Sequence, residues 1–458
     1  MEILLTPEQW VLDLYPEGNP NINLKLSNYI VKSEYEDKIL LFHTITWSIY
    51  SLTKEEFDNI TNNEILIKNK VIIPDYFNEN EIANKVYVYR MTPPEIPNYE
   101  NGISDFTVLT TTSCNARCFY CYEKGVNKNI SMTTETAEDI VQFIARKNIG
   151  GESPLKIQWI GGEPLINKRV INYITSRLKE IDVAFYSTLI TNGFLLNEET
   201  INDIKTWNLR SIQITLDGTG DEYNKTKNYI YTDIDAYLTI IDNIHNVLNN
   251  LPNVNVSLRF NASNSNIFKL YDDIKMLKEE FKYHTDRKPG FFISVLYEYI
   301  HNPDLAVEGY WDELERLGEV AHVKEPNIRI HPFKNLTFQR RLINKHCKAY
   351  SGKNITILPD GKLSVCSLIR PEDYYGDIYN GITNVEAIAR WQNYDSSEID
   401  FCKEIKCPLH PICAKFFKCG SCGVCMTPEH AEKAMKISEE TLIKTYLQYI
   451  DKLKNIKN

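Results

Sequence analysis

The chain has 458 residues, of which 43% are hydrophobic, 11% aromatic and 24% charged. This is the composition of a globular protein, so disorder, collagen-like repeats and a coiled coil are excluded as its main character. The net charge is −10, and the chain has neither a Lys/Arg-rich run nor an apolar run of membrane-spanning length. We therefore expect a soluble cytoplasmic protein that binds neither nucleic acid nor a membrane.

The first 100 residues predict an acidic α+β domain. They hold eight Lys or Arg against sixteen Asp or Glu. Two strand-like runs within residues 28–43 flank a polar stretch, which predicts a β-hairpin. Thr53 with Glu56 three residues later is typical of a capping box, so a helix is expected to begin after Thr53.

From residue 106 onward, strand-like and helical patterns alternate. The strand candidates are 106–112, 155–160, 183–190, 210–216, 254–261 and 290–298. The helical patterns between them are 133–147, 167–180, 197–206, 234–249 and 266–281. This alternation predicts βα units around a parallel sheet. Five or six units fit a partial (β/α)6 TIM-like barrel in an α/β fold better than a closed eight-unit barrel.

The remaining segments complete a five-part organisation. Helices are expected at 309–322 and 333–345, a loop-rich segment at 347–428 and a closing helix at 427–456. The predicted domains are an N-terminal α+β domain at 1–97, the partial barrel at 104–310, a helical bridge at 311–346, a cysteine-rich domain at 347–428 and a C-terminal helix at 429–458.

All eleven cysteines fall into two groups. The first group is Cys114, Cys118 and Cys121, and the second is Cys347, Cys366, Cys402, Cys407, Cys413, Cys419, Cys422 and Cys425. Thiols stay reduced in the cytosol, so such clustering indicates metal binding or catalysis rather than disulfides.

The first group directly follows the first predicted barrel strand, at the end of a barrel where active sites lie. Three thiolates can hold three irons of a [4Fe–4S] cluster, and the missing fourth ligand leaves one iron open to a small molecule. Two alternatives stay open: three core cysteines on one helical face, or a structural zinc site.

The motif Cys114-x3-Cys118-x2-Cys121, with Tyr120 before its last cysteine, resembles the signature of radical S-adenosylmethionine (SAM) enzymes. A second motif, Gly161-Gly162-Glu163-Pro164, resembles the GGEP element of that family. The resemblance implies that this element's backbone and carboxylate hold the SAM amino group. It implies further SAM contacts at Tyr120, Asn192, Thr215, Asp217 and Arg259. The family usually carries an arginine shortly after its Asp-Gly, whereas residues 221–225 read DEYNK here.

The second cysteine group, with Ile357 to Gly361 as a hairpin before Cys366, resembles the SPASM extension of radical SAM enzymes. The resemblance implies two auxiliary [4Fe–4S] clusters, for which eight cysteines are sufficient ligands. By order, Cys347 and Cys366 would share one cluster with two of the last three cysteines. The gaps of four, five, five, two and two residues from Cys402 onward depart from the family spacing. Zinc knuckles remain the alternative.

The resemblance as a whole implies a radical SAM/SPASM peptide maturase. Such an enzyme cleaves SAM reductively to a 5′-deoxyadenosyl radical, which abstracts a hydrogen from a ribosomally synthesised precursor peptide and leads to a thioether or C–C crosslink. Its partners would be the precursor peptide or protein and an electron donor such as flavodoxin or ferredoxin. The N-terminal domain resembles the peptide-binding domain of these maturases, where an added strand could capture the precursor.

Two other functions stay open. One is an anaerobic sulfatase-maturating enzyme that generates formylglycine; those enzymes carry an acid after the cysteine that matches Cys366, whereas this chain has Ser367. The other is a zinc- or cluster-bearing binding module on an inert barrel.

Overall fold

The computed structural model describes residues 1–16, 23–91, 102–121, 129–231, 233–284, 286, 288, 290–297, 307–324, 354–367, 370–392, 407–412 and 428–457. The predicted helix 333–345 lies outside these residues. Six cysteines of the second group also lie outside them: Cys347, Cys402, Cys413, Cys419, Cys422 and Cys425.

The N-terminal part is built on an antiparallel sheet, here called the N-terminal sheet, of the strands β1 (Glu2–Leu5), β3 (Ile30–Tyr35), β4 (Lys38–His43) and β5 (Ser48–Thr53). The strand order is β1-β5-β4-β3. The remaining N-terminal elements are α1 (Gln9–Leu12), β2 (Leu24–Leu26), α2 (Lys54–Asp58), α3 (Glu64–Lys68), β6 (Ile72–Pro74) and α4 (Asn80–Met91). Strands β3 and β4 confirm the predicted hairpin, and Thr53 and Glu56 form the predicted capping box.

A second sheet forms the centre of the described chain. Its six predicted strands are all present, as β7 (Asp105–Leu109), β8 (Leu155–Ile160), β9 (Phe185–Thr191), β10 (Leu209–Thr215), β11 (Asn255–Ala262) and β12 (Phe291–Tyr297). They are neighbours in chain order and pair in parallel. The predicted partial barrel is thereby confirmed as an open, mostly parallel sheet.

Additional strands extend this sheet at both edges. They are β13 (His322–Lys324), β14 (Asn354–Ile357), β15 (Lys362–Ser364), β16 (Tyr374–Asp377) and β17 (Gly381–Ile382). β13 pairs in parallel with β12 and β14 in parallel with β7, whereas β15 to β17 continue as antiparallel hairpins. The predicted hairpin before Cys366 is therefore present as β14–β15.

The segments after β12 differ in part from the prediction. In the segment 347–428, predicted to be loop-rich with a hairpin before Cys366, the described residues contain that hairpin, the further strands β16 and β17 and the helix α12 (Val385–Gln392). The helix expected at 309–322 forms only α11 (Tyr310–Arg316) and a short 3-10 turn. It stops early because His322 begins a strand that pairs with Ser294 in β12.

The remaining helices connect the strands of the central sheet or close the chain. They are α5 (Thr134–Lys147), α6 (Lys168–Glu180), α7 (Glu198–Ile204), α8 (Gly220–Lys227), α9 (Ala236–Asn250), α10 (Leu270–Glu280) and α13 (Pro428–Lys457). Side-chain caps fix several helix starts, because the oxygens of Thr133, Asn197 and Asp235 accept backbone N–H groups of the first turn. None of the helices in the described chain has the length and apolar character that crossing a bilayer requires.

The two faces of the central sheet differ in burial. In β8, Leu155, Ile157 and Trp159 are fully buried, whereas the alternate residues are partly exposed. Alternate side chains of a strand point to opposite faces. The outer face therefore packs into the core, and the other face, here called the inner face, is reachable by solvent.

Both ends of the described chain pack together. Leu442 and Tyr446 of α13 form one apolar core with Leu40 and Phe42 of the N-terminal sheet, together with Leu409. The helix α13 thus covers one face of a sheet that lies about 400 residues earlier in the sequence.

Candidate functional site

The three cysteines of the first group lie on the loop of residues 110–121, here called the cysteine loop, which follows β7. Cys114, Cys118 and Cys121 are all half-buried. The Cys121 backbone N–H donates to the Cys118 carbonyl at 3.2 Å. Burial is the main cause that raises the pKa of the Cys114 thiol to about 12 in the metal-free chain.

Gly161 and Gly162 let the end of β8 approach the cysteine loop. A Cβ on Gly161 would lie 2.3 Å from the Thr111 carbonyl oxygen, and one on Gly162 would lie 2.4 Å from the Ser113 oxygen. In this tight space Gly162 N–H donates to Thr111 at 3.0 Å and Glu163 N–H to Ser113 at 2.9 Å. Any larger residue at either glycine would displace the loop.

Glu163 is completely buried, and its carboxylate accepts three hydrogen bonds within the protein. The donors are the Thr191 hydroxyl at 2.7 Å, the Asn192 N–H at 2.8 Å and the Leu165 N–H at 3.1 Å. Burial raises the pKa of Glu163 to about 7 despite these bonds. The carboxylate thus joins the end of β8 to the end of β9; the predicted contact with the SAM amino group stays a prediction.

Asn192, just after β9, lies against the start of the cysteine loop. Its amide Nδ2 is 2.7 Å from the Asn115 Oδ1 and 3.9 Å from the Cys114 Sγ. The amide nitrogen of Asn115 is buried and makes no hydrogen bond in the described structure. A buried donor without an acceptor beside a cysteine is the kind of group that a bound ligand or an ordered water would satisfy.

Asp217, after β10, holds the other end of the cysteine loop. Its Oδ2 accepts from the Tyr120 hydroxyl and, at 2.7 Å, from the Lys227 ammonium. Its Oδ1 accepts from the backbone N–H of Asn261 at 2.5 Å and from the Asn261 amide at 2.9 Å. Asp217 adopts φ +68°, a left-handed conformation that is uncommon for a residue other than glycine and is often found at functional sites.

The other predicted SAM contacts lie near Glu163 or Asp217. Thr215 ends β10 and pairs in register with Arg259 of β11. The Arg259 guanidinium donates to the Asn261 Oδ1 at 2.9 and 3.1 Å. Pro164 is buried, and its carbonyl accepts from the Thr110 hydroxyl at 3.0 Å.

The described cysteines of the second group lie apart from each other in the fold. Cys366 is half-buried after β15, whereas Cys407 is buried in the core that α13 forms with the N-terminal sheet. Their assignment as cluster ligands stays a prediction, since the other six cysteines of that group lie outside the described residues.

The residues of the cysteine loop fit an iron–sulfur cluster. Three partly exposed thiols on one short loop form a soft donor set of the kind that iron–sulfur clusters require, and the unsatisfied Asn115 amide lies next to one of them. Within the described ranges, no three His, Cys, Asp or Glu side chains come together around a single metal ion.

Sequence reasoning missed Lys227 and Asn115. Lys227 lies at the end of α8, a helix that was not predicted. The helix has Asp221 and Glu222 in its first turn and Lys225 and Lys227 in its last turn, which is the charge order that favours a helix. That order was available in the sequence, whereas the contact between Lys227 and Asp217 was not.

Comparison with known proteins places this site in a recognised domain. The family model of the Radical SAM superfamily matches residues 108–258 of this chain. The radical SAM cyclopropyl synthase TigE of Paramaledivibacter caminithermalis is 23% identical over 430 residues, which cover 81% of this chain and 84% of that protein. Several further relatives match over only 26 to 29% of this chain and 36 to 41% of their own length.

Two solved structures share the fold at low sequence identity. The structure of native anSMEcpe with bound AdoMet has a TM-score of 0.54 and 13% identity, and the match covers 76% of this chain and 100% of that one. Streptococcus suis SuiB bound to the precursor peptide SuiA has a TM-score of 0.50 and 12% identity, with 88% and 98% covered. Both likenesses bear on the fold.

Proposed function

We propose that this chain, a radical SAM enzyme by the domain at residues 108–258, modifies a ribosomally synthesised precursor peptide and installs a thioether or C–C crosslink. When bound, the [4Fe–4S] cluster supplies the electron that splits SAM into methionine and a 5′-deoxyadenosyl radical. Cys114, Cys118 and Cys121 would hold that cluster, and an external donor such as flavodoxin or ferredoxin would reduce it. The residues proposed to surround SAM are Tyr120, Gly161, Gly162, Glu163, Pro164, Asn192, Thr215, Asp217 and Arg259.

The protein's contribution is positioning. A carbon radical attacks most C–H bonds, so selectivity depends on where the substrate is held. The Glu163 N–H donates to Ser113 and the Asp217 carboxylate accepts from Tyr120, so the ends of two central strands hold the cysteine loop against the sheet. The cysteines of the second group would hold the two auxiliary clusters.

The observation that best supports a peptide substrate is the chemistry of the inner face. In the middle of neighbouring strands this face carries the neutral polar side chains Thr107, Gln158, Thr188, Gln213 and Ser257, whereas the partly buried Ile160 and Ile190 lie on it nearer the strand ends. The cations Lys156 and Arg259 are engaged, by Asp105 at 3.7 Å and by Asn261 respectively. Hydroxyl and amide groups suit the amides of a peptide, whereas a phosphate-bearing substrate would call for free cations.

The outer edge of the N-terminal sheet supports the same proposal. Tyr35 and Lys38 flank the two-residue turn between β3 and β4 and form its first hydrogen-bonded pair. The direction of the backbone N–H and C=O groups alternates along β3, so those of Ser33 and Val31 also face β4. Those of Lys32 and Glu34 face away from β4. No strand in the described chain pairs with β3 on that side. An extended precursor segment could add there as a further strand.

The test compares Lys32→Pro with Lys32→Thr. Proline removes the outward N–H of an edge strand and leaves the ladder to β4 intact, whereas threonine keeps that N–H. We expect Lys32→Pro to weaken binding of the cognate precursor by roughly tenfold or more, with peptide-independent SAM cleavage unchanged, and Lys32→Thr to bind as the parent does. Equal precursor binding by both variants, measured by fluorescence anisotropy, would reject β3 as the capture edge.

Deleting residues 1–97 would be a poor substitute for this test. The deletion also uncovers Leu442 and Tyr446 of α13, so a loss of activity would not report on peptide binding alone.

The product identifies the reaction. Anaerobic enzyme with precursor, SAM and a reductant is expected to give deoxyadenosine and a peptide that has lost two hydrogens and resists alkylation or sequencing at the crosslink. A peptide aldehyde that reacts with a hydrazide would instead indicate formylglycine formation. Zinc in place of iron, with no deoxyadenosine, would indicate the binding module.

A further inference from the structure

Lys227 is a buried cation at the centre of the site that no sequence motif assigned. Only 2% of the residue is exposed. Because a lysine is rarely buried without a partner, its contacts identify what it holds. Its Nζ lies 2.7 Å from the Asp217 Oδ2 and 2.8 Å from the Tyr120 hydroxyl oxygen. The ammonium therefore contacts both the end of β10 and the aromatic residue that precedes the last cysteine of the loop.

The backbone of Lys227 holds the same loop at a second point. Its carbonyl oxygen accepts from the Arg117 N–H at 2.8 Å and lies 3.8 Å from the Cys118 Sγ. One residue thus contacts the cysteine loop on both sides of Cys118. The following residue, Asn228, has φ +46°, which ends α8 so that its last carbonyl can face the loop.

The charges of Lys227 and Asp217 compensate each other. Asp217 is also buried, and its carboxylate accepts from Lys227, Tyr120 and two donors of Asn261. A buried ion pair gains little over an apolar pair of the same size, but removing one partner leaves an uncompensated buried charge. Such a pair is therefore better explained by the geometry that it imposes than by overall stability.

We propose that Lys227 is a positioning residue for the radical SAM chemistry, which fixes the cysteine loop and Tyr120 against Asp217 so that the loop presents its cluster and SAM in one orientation. The proposal rests on the cysteine loop holding the SAM-binding cluster and does not depend on a peptide substrate. Lys227 acts through Tyr120 and the loop backbone and needs no contact with SAM.

The test is a double-mutant cycle of Lys227→Met and Asp217→Asn on the reconstituted full chain. The readouts are iron per chain, the SAM dissociation constant and the change in the EPR spectrum of the reduced cluster on adding SAM. We expect Lys227→Met to weaken SAM binding by roughly tenfold or more and to alter the spectrum with SAM, because the buried carboxylate loses its counter-charge. The losses of the two single variants are expected not to add in the double variant, because Lys227 and Asp217 hold the loop as one unit.

Two controls keep the outcome decisive. Lys168→Met removes a lysine that pairs with Glu199 and Asp203 on the outer helices, 3.0 Å from each, and is expected to leave all three readouts unchanged. Lys227→Arg keeps the charge, and we expect it to retain more SAM affinity than Lys227→Met; it serves as the test variant if Lys227→Met does not fold.

Parent-like SAM binding and EPR spectra in Lys227→Met, or losses in the two single variants that simply add in the double variant, would overturn the proposal. Failure of peptide modification with normal SAM cleavage would instead count against the proposed function and leave the role of Lys227 supported.

Discussion

Single side chains of the site act mainly by joining the ends of neighbouring strands. Glu163 was predicted at this position from the Gly-Gly-Glu-Pro motif, but its partners Thr191 and Asn192 lie at the end of a different strand, β9. A motif gives the residue type and the strand end, whereas the partners depend on how two strands align. For this reason the sequence predicts Cys114 and Glu163 as site residues but does not reveal the contacts of Asn115 or Lys227.

Glu163 gives a prediction about pH. Its pKa of about 7 in the folded chain exceeds the ordinary value of 4.5, so between these values the folded state binds a proton that the unfolded state has lost. The stability of the metal-free parent is therefore expected to fall as pH rises through this window, by an amount on the order of 1–3 kcal/mol. The glutamine of Glu163→Gln is neutral throughout this pH range, so the stability of that variant is expected to fall less.

Thermal unfolding midpoints of the metal-free parent and Glu163→Gln, measured from about pH 5 to about pH 8, check this expectation. Parallel curves for the two proteins would show that Glu163 keeps an ordinary pKa in the folded state.

At the scale of elements, the sequence predicted the six central strands and the short hairpin β14–β15, but not the other short strands. All six central strands from β7 to β12 lie close to their predicted positions. Strands β16 and β17 are four and two residues long, too short for a periodic pattern. The pairing of β14 with β7, about 250 residues earlier, was not evident in the sequence either. Helix α11 ended early for a similar reason, because a strand of the sheet replaced its last turn.

The close approach of β8 to the cysteine loop predicts the effect of Gly162→Ala. The added Cβ would lie 2.4 Å from the Ser113 oxygen and 2.7 Å from the Thr112 oxygen, so the loop must move. We expect a loss of stability of about 1–3 kcal/mol and a lower iron content after reconstitution. Gly318→Ala is the matched control, since nothing lies within 4 Å of a Cβ there. Equal iron in both variants would contradict a tight fit at Gly162.

At the scale of the whole molecule, the packing of the two ends was not foreseen. The sequence predicts a closing helix, and α13 is present close to the predicted position. Its partner was not evident, because nothing in a helical pattern identifies the sheet that it covers. Buried Arg90 adds a second link, since its guanidinium donates to the Pro411 carbonyl at 3.3 Å and to Glu8 at 3.1 Å.

The packing of α13 predicts a clear contrast between two of its leucines. Leu442 is fully buried against the N-terminal sheet, whereas 39% of Leu447 is exposed. Leu442→Ala is expected to cost about 2–5 kcal/mol of unfolding free energy, and Leu447→Ala less than about 1 kcal/mol. Urea unfolding followed by fluorescence checks both values. Similar losses in the two variants would mean that α13 does not cover the sheet in solution.

The position of α13 also affects the order of events during synthesis. The helix that covers one face of the N-terminal sheet is translated about 390 residues after that sheet, roughly 20 to 80 s later at ordinary elongation rates. During that interval Leu40 and Phe42 lack the apolar cover that Leu442 and Tyr446 later provide. The nascent chain therefore exposes an apolar face during this interval, and chaperones that bind such surfaces are expected to raise the yield of folded enzyme.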